Sequence, residues 1–116
     1  MIKTLFSKKT YREISQSDAK GRLEADRNIL LLDVRTPEEY AAVHIPDSKS
    51  LPLDQLESRI EKFAADKDRE IIVYCLSGAR AASACSHLSA MGYTNVSTMG
   101  GIRTWKYKLE KGSSRQ

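Results

Sequence analysis

The chain has two cysteines, too few for a disulfide framework. Six glycines and three prolines among 116 residues exclude a collagen-like or low-complexity chain. The longest strongly apolar runs, Ile29–Leu32 and Ile71–Leu76, fall far short of a membrane span. The first residues, MIKTLFSKKTYREIS, lack the apolar stretch of a secretory leader. The expectation is a soluble protein of a reducing cytoplasm, with no membrane partner. What is present is an apolar share of 41% beside 29% charged residues. A chain of this size suits one domain, whose core buries roughly two-thirds of the unfolded surface.

The net charge of +4 is unevenly placed. Residues 31–70 hold 10 acids against 6 bases, and residues 71–116 hold 6 bases against 1 acid. The bases of the second half are dispersed and not interleaved with aromatics, so no nucleic-acid partner is expected. A small anionic substrate fits the asymmetry better.

Strand and helix patterns alternate. Tyr11–Ile14 reads as a weak strand. Ser15 with Asp18 forms a capping box and Ile14 with Ala19 a staple, so a helix follows to about Asp26. Asn28–Val34 is a continuous apolar run of strand length, as in a strand buried on both faces. Thr36 is a good N-cap, with Pro37 at N1 and Glu39 closing the box from N3. His44-Ile45-Pro46 ends that short helix, and Ser48–Leu51 is a brief strand. Asp54 with Glu57 is expected to cap the next helix, whose stripe is Leu53, Leu56, Ile60, Phe63 and Ala64. Glu70–Tyr74 is a second buried strand. Ala81, Ala84, Cys85, Leu88 and Met91 then form a helical stripe that Gly92 ends. Asn95–Met99 is the last strand. Ile102, Trp105 and Leu109 predict a final helix stopped by Gly112. The reading is an α/β domain: a parallel sheet with helices on both faces and ligand chemistry beyond the strand ends. Residues 1–10 form an N-terminal extension, 11–111 the domain and 112–116 a polar tail.

The richest segment follows the second buried strand: Cys75, then Leu76-Ser77-Gly78-Ala79 and Arg80 at the mouth of a helix. A loop of small residues can turn successive N–H groups inward to hold an anion, and the helix adds its own N–H groups and dipole. A cysteine at the rim of that field is nucleophilic as its thiolate without a histidine base. Arg80 adds fixed charge, or its fork braces the loop or a neighbouring carboxylate. The plain alternative makes Cys75 a small core residue and Gly78 a turn glycine. The coincidence of strand end, glycine loop, arginine and helix start argues against it. Cys85 lies on the apolar stripe and reads as buried. His87 lies off it and reads as solvated.

Cys75-Leu76-Ser77-Gly78-Ala79-Arg80 resembles the active-site loop of rhodanese domains, the thiosulfate and persulfide sulfurtransferases. Leu32-Asp33-Val34-Arg35-Thr36-Pro37-Glu38-Glu39-Tyr40, His44-Ile45-Pro46 and Gly100-Gly101-Ile102 with Trp105 resemble three further family segments, in order, from Tyr11 to Leu109. The resemblance implies a five-stranded parallel sheet and a persulfide on Cys75. The backbone of Leu76, Ser77, Gly78, Ala79 and Arg80 would cradle the transferred sulfur or the donor's oxyanion. Asp33 and Arg35 are then expected to brace the loop, Glu39 and His44 to be structural, and Trp105 to anchor the last helix. Val43 and Asp47 replace glycines common around the HIP turn, which questions its local geometry. Leu76 replaces a residue often basic in thiosulfate-using members, so weak thiosulfate use is expected if that side chain faces the mouth.

The implied reaction moves sulfane sulfur from thiosulfate or a persulfide to a thiol or cyanide by double displacement. The donor is a small molecule or a protein-bound persulfide. No metal or organic cofactor is expected, because His44 and His87 are not at ligand spacing with the cysteines. One rival is a cysteine phosphatase or arsenate reductase. The loop from Cys75 to Arg80 is one residue shorter than that of phosphotyrosine-type phosphatases, which suits a lone sulfur. The other rival is a catalytically weak binding or regulatory module, against which the presence of Cys75 speaks.

Overall fold

The computed structural model describes residues 10–112. Most of the predicted extension 1–10 and residues 113–116 of the predicted tail lie outside the described residues. The elements in chain order are β1 (Arg12–Glu13), α1 (Gln16–Ala25), β2 (Leu30–Asp33), α2 (Pro37–Ala42), β3 (Lys49–Ser50), α3 (Leu56–Phe63), β4 (Ile71–Cys75), α4 (Ala79–Ala90) and β5 (Val96–Gly101). The strands form one sheet in the order β1-β5-β4-β2-β3, and every pairing in it is parallel.

β4 lies at the centre and is buried throughout. Its side chains alternate. Ile71, Val73 and Cys75 face a core built with α3 and α4, while Ile72 and Tyr74 face a second core with Ala19 of α1, Met99, Ile102 and Trp105. A strand buried on both faces explains the unbroken apolar run, and the predicted stripes of α3 and α4 supply the covering side chains. Gly92 N–H bonds to Ser89 O and Tyr93 N–H to Leu88 O, so α4 ends in a Schellman motif with Gly92 at φ 98°. Thr36 and Glu39 close the predicted box on α2 from both sides.

Two expectations are corrected. Asp54 does not cap α3. A 3₁₀ turn at Leu53–Gln55 leads straight into the helix, Gln55 holds the N-cap position, and no side chain caps it. Leu53 N–H is instead tied to Val34 O at 3.1 Å, which fixes the turn against the end of β2. The final helix does not form either. After a 3₁₀ turn at Ile102–Thr104 the chain runs extended, and Glu110 makes a two-bond antiparallel bridge with His44. Leu109 is exposed, so an α-helix there would have one buried turn and nothing further to cover. Trp105 is buried as expected, but it follows a turn rather than sitting on a helix.

The segment between α2 and β3 is held by buried polar groups. Asp33 and Arg35, both buried, form an ion pair, and Arg35 Nη2 also donates to Val43 O at 2.7 Å. His44 stacks on Tyr40 with ring centroids 3.8 Å apart and holds Tyr40 O through Nδ1. Tyr74 Oη accepts from Ile45 N–H at 3.1 Å. Val43 has φ −167°, extended backbone that needs no glycine. Asp47 has φ 69°, the one non-glycine residue of positive φ among the described residues, which is why glycine is common there.

Removing one partner of the buried pair leaves an uncompensated charge. Asp33→Asn is expected to lower stability by about 3–5 kcal/mol, read from urea midpoints at neutral pH. A midpoint equal to that of the parent protein would show that Arg35 finds its compensation elsewhere.

Candidate functional site

The chain leaves β4 at Cys75 and turns through Leu76, Ser77 and Gly78 into α4. Gly78 takes φ 124° at the N-cap, where a side chain would be strained. The turn lays two backbone donors on the sulfur: Gly78 N–H at 3.0 Å and Ala81 N–H at 3.3 Å from Sγ. Ala81 belongs to the first turn of α4, whose N–H groups have no partner inside the helix. The positive end of the helix dipole is directed at the same sulfur. Of the predicted cradle, Leu76 to Arg80, Gly78 places its N–H on the sulfur, and Ala81, one residue beyond the predicted span, does the same. Cys75 is only 1% exposed, so it lies beneath the loop rather than at its rim. A reacting group must bring a small terminal atom to Sγ.

β5 secures the loop from the other side. Ile71, Ile72 and Val73 pair with Val96, Ser97 and Thr98, but Cys75 pairs with Gly101, one residue beyond that register. The extra residue is accommodated at Gly100, which has φ 85°. Gly101 then meets the loop backbone. A Cβ on it would lie 2.0 Å from Leu76 O and 2.6 Å from Ser77 N. Two residues later, in the turn, Arg103 N–H donates to Leu76 O at 3.1 Å. The Leu76 side chain is half-buried and packs against the core on the α1 side. The expectation of weak thiosulfate use assumed that this side chain faces the mouth; the structure shows it partly packed in that core and partly exposed.

Arg80 does brace a carboxylate. Its two terminal nitrogens donate to the two oxygens of Glu39 at 2.8 and 3.1 Å. Glu39 Oε1 also accepts from Thr36 N–H at 2.9 Å, so one carboxylate caps α2 and clamps the start of α4. The Arg80 hydrogen bonds hold Glu39 down to about 2, against the opposing effect of partial burial. Asp33 and Arg35 engage each other and the carbonyl of Val43. They hold the loop before β3, Arg35 lies over the Tyr74 ring at 5.8 Å, and the Asp33 charge is among those acting on Arg80. Cys85 is buried on the α4 stripe as expected, and burial pushes its thiol up to about 12. His87 is half exposed, with Nδ1 3.0 Å from Glu57 Oε2.

Two functional features were invisible in the sequence. Nothing there marks Glu39 as the partner of Arg80, because its capping role already accounts for the residue. The close approach at Gly101 shows only as a second glycine after the strand, and only the sheet register gives it a reason.

A family model described as the Rhodanese-like domain matches residues 15–108. A sulfurtransferase of Allochromatium vinosum is 39% identical over 94 residues, which cover 80% of this chain and 86% of that one. A thiosulfate sulfurtransferase of Coxiella burnetii is 36% identical over 97 residues, covering 83% and 88%. The crystal structure of a rhodanese-related protein from Thermoplasma volcanium superposes with a TM-score of 0.74 at 30% identity, covering 86% and 98%.

The Glu39 clamp makes stability depend on pH with a definite sign. A carboxylate whose folded pKa is depressed contributes above its unfolded value, and the contribution is lost as pH falls toward the folded one. The stability difference between the parent protein and Glu39→Gln is therefore expected to be full at pH 6 and to shrink steadily from about pH 4.5 downward. Urea midpoints of both proteins across that range measure it, and a difference independent of pH would exclude the ion pair as its source.

Gly101→Ala tests the close approach. The added methyl cannot share space with the Leu76 carbonyl, so the strand end and the loop must separate. Loss of stability on the order of 2–4 kcal/mol is expected, with a slower reaction of Cys75 toward an alkylating probe or a sulfur donor in the fraction that remains folded. A variant with parent-like stability and reactivity would mean that the loop yields at no cost.

Proposed function

This chain belongs to the rhodanese-like domain family, and from that premise we propose that it transfers sulfane sulfur through a persulfide on Cys75. Of the two curated relatives described above, one is a sulfurtransferase and the other a thiosulfate sulfurtransferase. The observation that carries the reading is the convergence of the Gly78 and Ala81 N–H groups on Sγ at the end of the central strand. Those donors accept no proton and form no bond. Their task is to stabilise negative charge on sulfur, which both halves of a double displacement require.

In the first half, the thiolate of Cys75 attacks the outer sulfur of the donor. The donor's S–S bond breaks, sulfite or a thiolate departs with the electron pair, and Cys75 keeps one sulfur as a persulfide. In the second half, an acceptor thiolate or cyanide attacks that outer sulfur, and Cys75 leaves as thiolate. The N–H groups of the loop meet the charge on each transferred sulfur. Arg80 is a positioning residue in this scheme, because Glu39 occupies both its terminal nitrogens. The six-residue loop from Cys75 to Arg80 supports a lone sulfur over a tetrahedral phosphate. Both cysteines are free, which fits a reducing compartment, and we place the protein in the cytoplasm. Among the described residues no helix is long and apolar enough to cross a membrane.

Treatment with thiosulfate or a persulfide donor is expected to add one sulfur atom's mass on Cys75, removable by cyanide. Cys75→Ser abolishes both the adduct and turnover, while Cys85→Ser retains them. Intact and peptide mass spectrometry with a thiocyanate assay read the outcome. An adduct confined to Cys85, or equal loss in two folded variants, would reject the assignment.

A further inference from the structure

Gln16 opens α1, and its half-buried side chain leaves the helix for the end of β5. Its Nε2 donates to Met99 O at 3.0 Å and to Gly101 O at 2.8 Å. Two carbonyl oxygens can be met only by the amino end of the amide, so both of its hydrogens are committed. The two carbonyls stand on either side of Gly100, where β5 holds its extra residue. β1 does not reach this point. Its pairing covers Ser97 and Thr98, and Ile14 N–H then donates to Thr98 O at 3.0 Å. The side chain of Gln16 continues where that ladder stops. Its own backbone is fixed, because Ser15 caps α1 through Asp18 N–H and Ala19 is buried in the second core. Two hydroxyls complete the clasp. Thr98 Oγ1 accepts from Gly100 N–H at 3.2 Å, and Thr104 Oγ1 donates to Gly101 O at 3.3 Å.

We infer that Gln16 is a positioning residue for Cys75, acting through the bulge at Gly100. Every step of the path is a contact. Gln16 fixes the carbonyls around Gly100. Gly101 lies opposite Cys75 and against the Leu76–Ser77 peptide. That peptide starts the turn that lays Gly78 N–H on Sγ. Gln16 gives the sulfur no donor of its own. Its amide limits how far Gly101 can shift, and with it the placement of the Gly78 N–H. A hydrogen bond weakens steeply as its angle degrades, and the stabilisation of charge on sulfur falls with it. The inference rests on the sulfur-transfer reading only for its consequence in turnover, because the thiolate of Cys75 can be measured without a sulfur donor.

Gln16→Met tests this, since it keeps side-chain length, helix propensity and charge while removing both donors. Gln16→Glu keeps the shape and, when ionised, turns an acceptor toward the two carbonyls. Tyr93→Phe is the stability control: it removes the bond from Tyr93 Oη to Ala64 O, near the start of β5 rather than its end. The rate of iodoacetamide on Cys75, read by peptide mass across about pH 5 to 10, gives the thiolate pKa and a high-pH plateau. In Gln16→Met that pKa is expected to rise by about half to one unit, so the rate near neutral pH falls about three- to tenfold while the plateau is kept. Gln16→Glu is expected to show the larger rise, and Tyr93→Phe the parent profile at whatever stability it loses. Parent-like profiles in both folded Gln16 variants, or the same shift in Tyr93→Phe, overturn the positioning role. Where neither Gln16 variant folds, the parent protein decides. Its Gln16 side-chain N–H pair is expected to give two slowly exchanging resonances that move when Cys75 is alkylated, and a freely exchanging pair that ignores alkylation overturns the inference. Sulfur loading of the parent protein by inorganic polysulfide is measured beside these rates. Absence of loading rejects sulfur transfer and leaves the alkylation profiles to report on Gln16, whereas normal loading with unshifted profiles rejects the role of Gln16 alone.

Discussion

The site depends on two stretches of backbone lying closer than a Cβ allows. Gly101 at the end of β5 sits against the Leu76–Ser77 peptide, where a methyl group would come within 2.0 Å of a carbonyl oxygen. That contact is possible because β5 carries one residue more than the ladder needs, placed at Gly100 with positive φ. The register shift brings Gly101 opposite Cys75 and lets Arg103 N–H hold the Leu76 carbonyl. With the first peptide of the loop fixed, Gly78 can turn at φ 124° and aim its own N–H back at Sγ. Two neighbouring glycines thus act in sequence: one makes the bulge and the other makes room.

The electrostatics follow a different pattern from the one that the charge count suggests. Arg35 and Arg80 are each matched by a carboxylate, one pair buried and one half-exposed. What faces the sulfur is backbone. Oriented N–H groups and a helix dipole are weaker than a full charge, but they are fixed by the fold and do not reorganise when charge arrives. The arginines serve by geometry. Arg80 ties the start of α4 to α2, and Arg35 ties the end of β2 to the Val43 carbonyl. Charge asymmetry along a sequence is therefore a poor guide to charge at a site when the ion pairs join residues far apart, as Glu39 and Arg80 are.

Most of the fold was legible because local signals and burial agree. The apolar runs around Leu30–Asp33 and Ile71–Cys75, the box at Thr36–Glu39 and the glycine after α4 are each set by interactions within a few residues. Cys75 could be placed at a strand end for the same reason. The failures are long-range. The helix expected through Trp105 and Leu109 loses to a bridge between Glu110 and His44, a residue far back in the chain. The cap expected from Asp54 loses to a bond between Leu53 and the end of β2. The Leu76 side chain turns to a core that includes Met99 and Trp105, which its neighbours in sequence do not announce. Spacing within a segment reports which face is apolar. It does not report which distant backbone group will claim an N–H.

The two cysteines sit in the same core but in different hydrogen-bonding environments. Both are buried to the same degree, 1% and 0% exposed, and both belong to the same core. Burial alone disfavours a thiolate, and that is the whole environment of Cys85, which desolvation pushes up to about 12. Cys75 differs in receiving Gly78 and Ala81 N–H groups on its sulfur. The donors come from a turn and a helix start, places where backbone N–H groups lack partners of their own. At Cys75 the fold therefore solves two problems at once: the orphan donors of α4 gain an acceptor, and a buried sulfur gains the solvation it lost. Midway along α4 every N–H is already committed to the helix, so no donor remains for Cys85. Position relative to a helix terminus, more than exposure, distinguishes the two sulfurs.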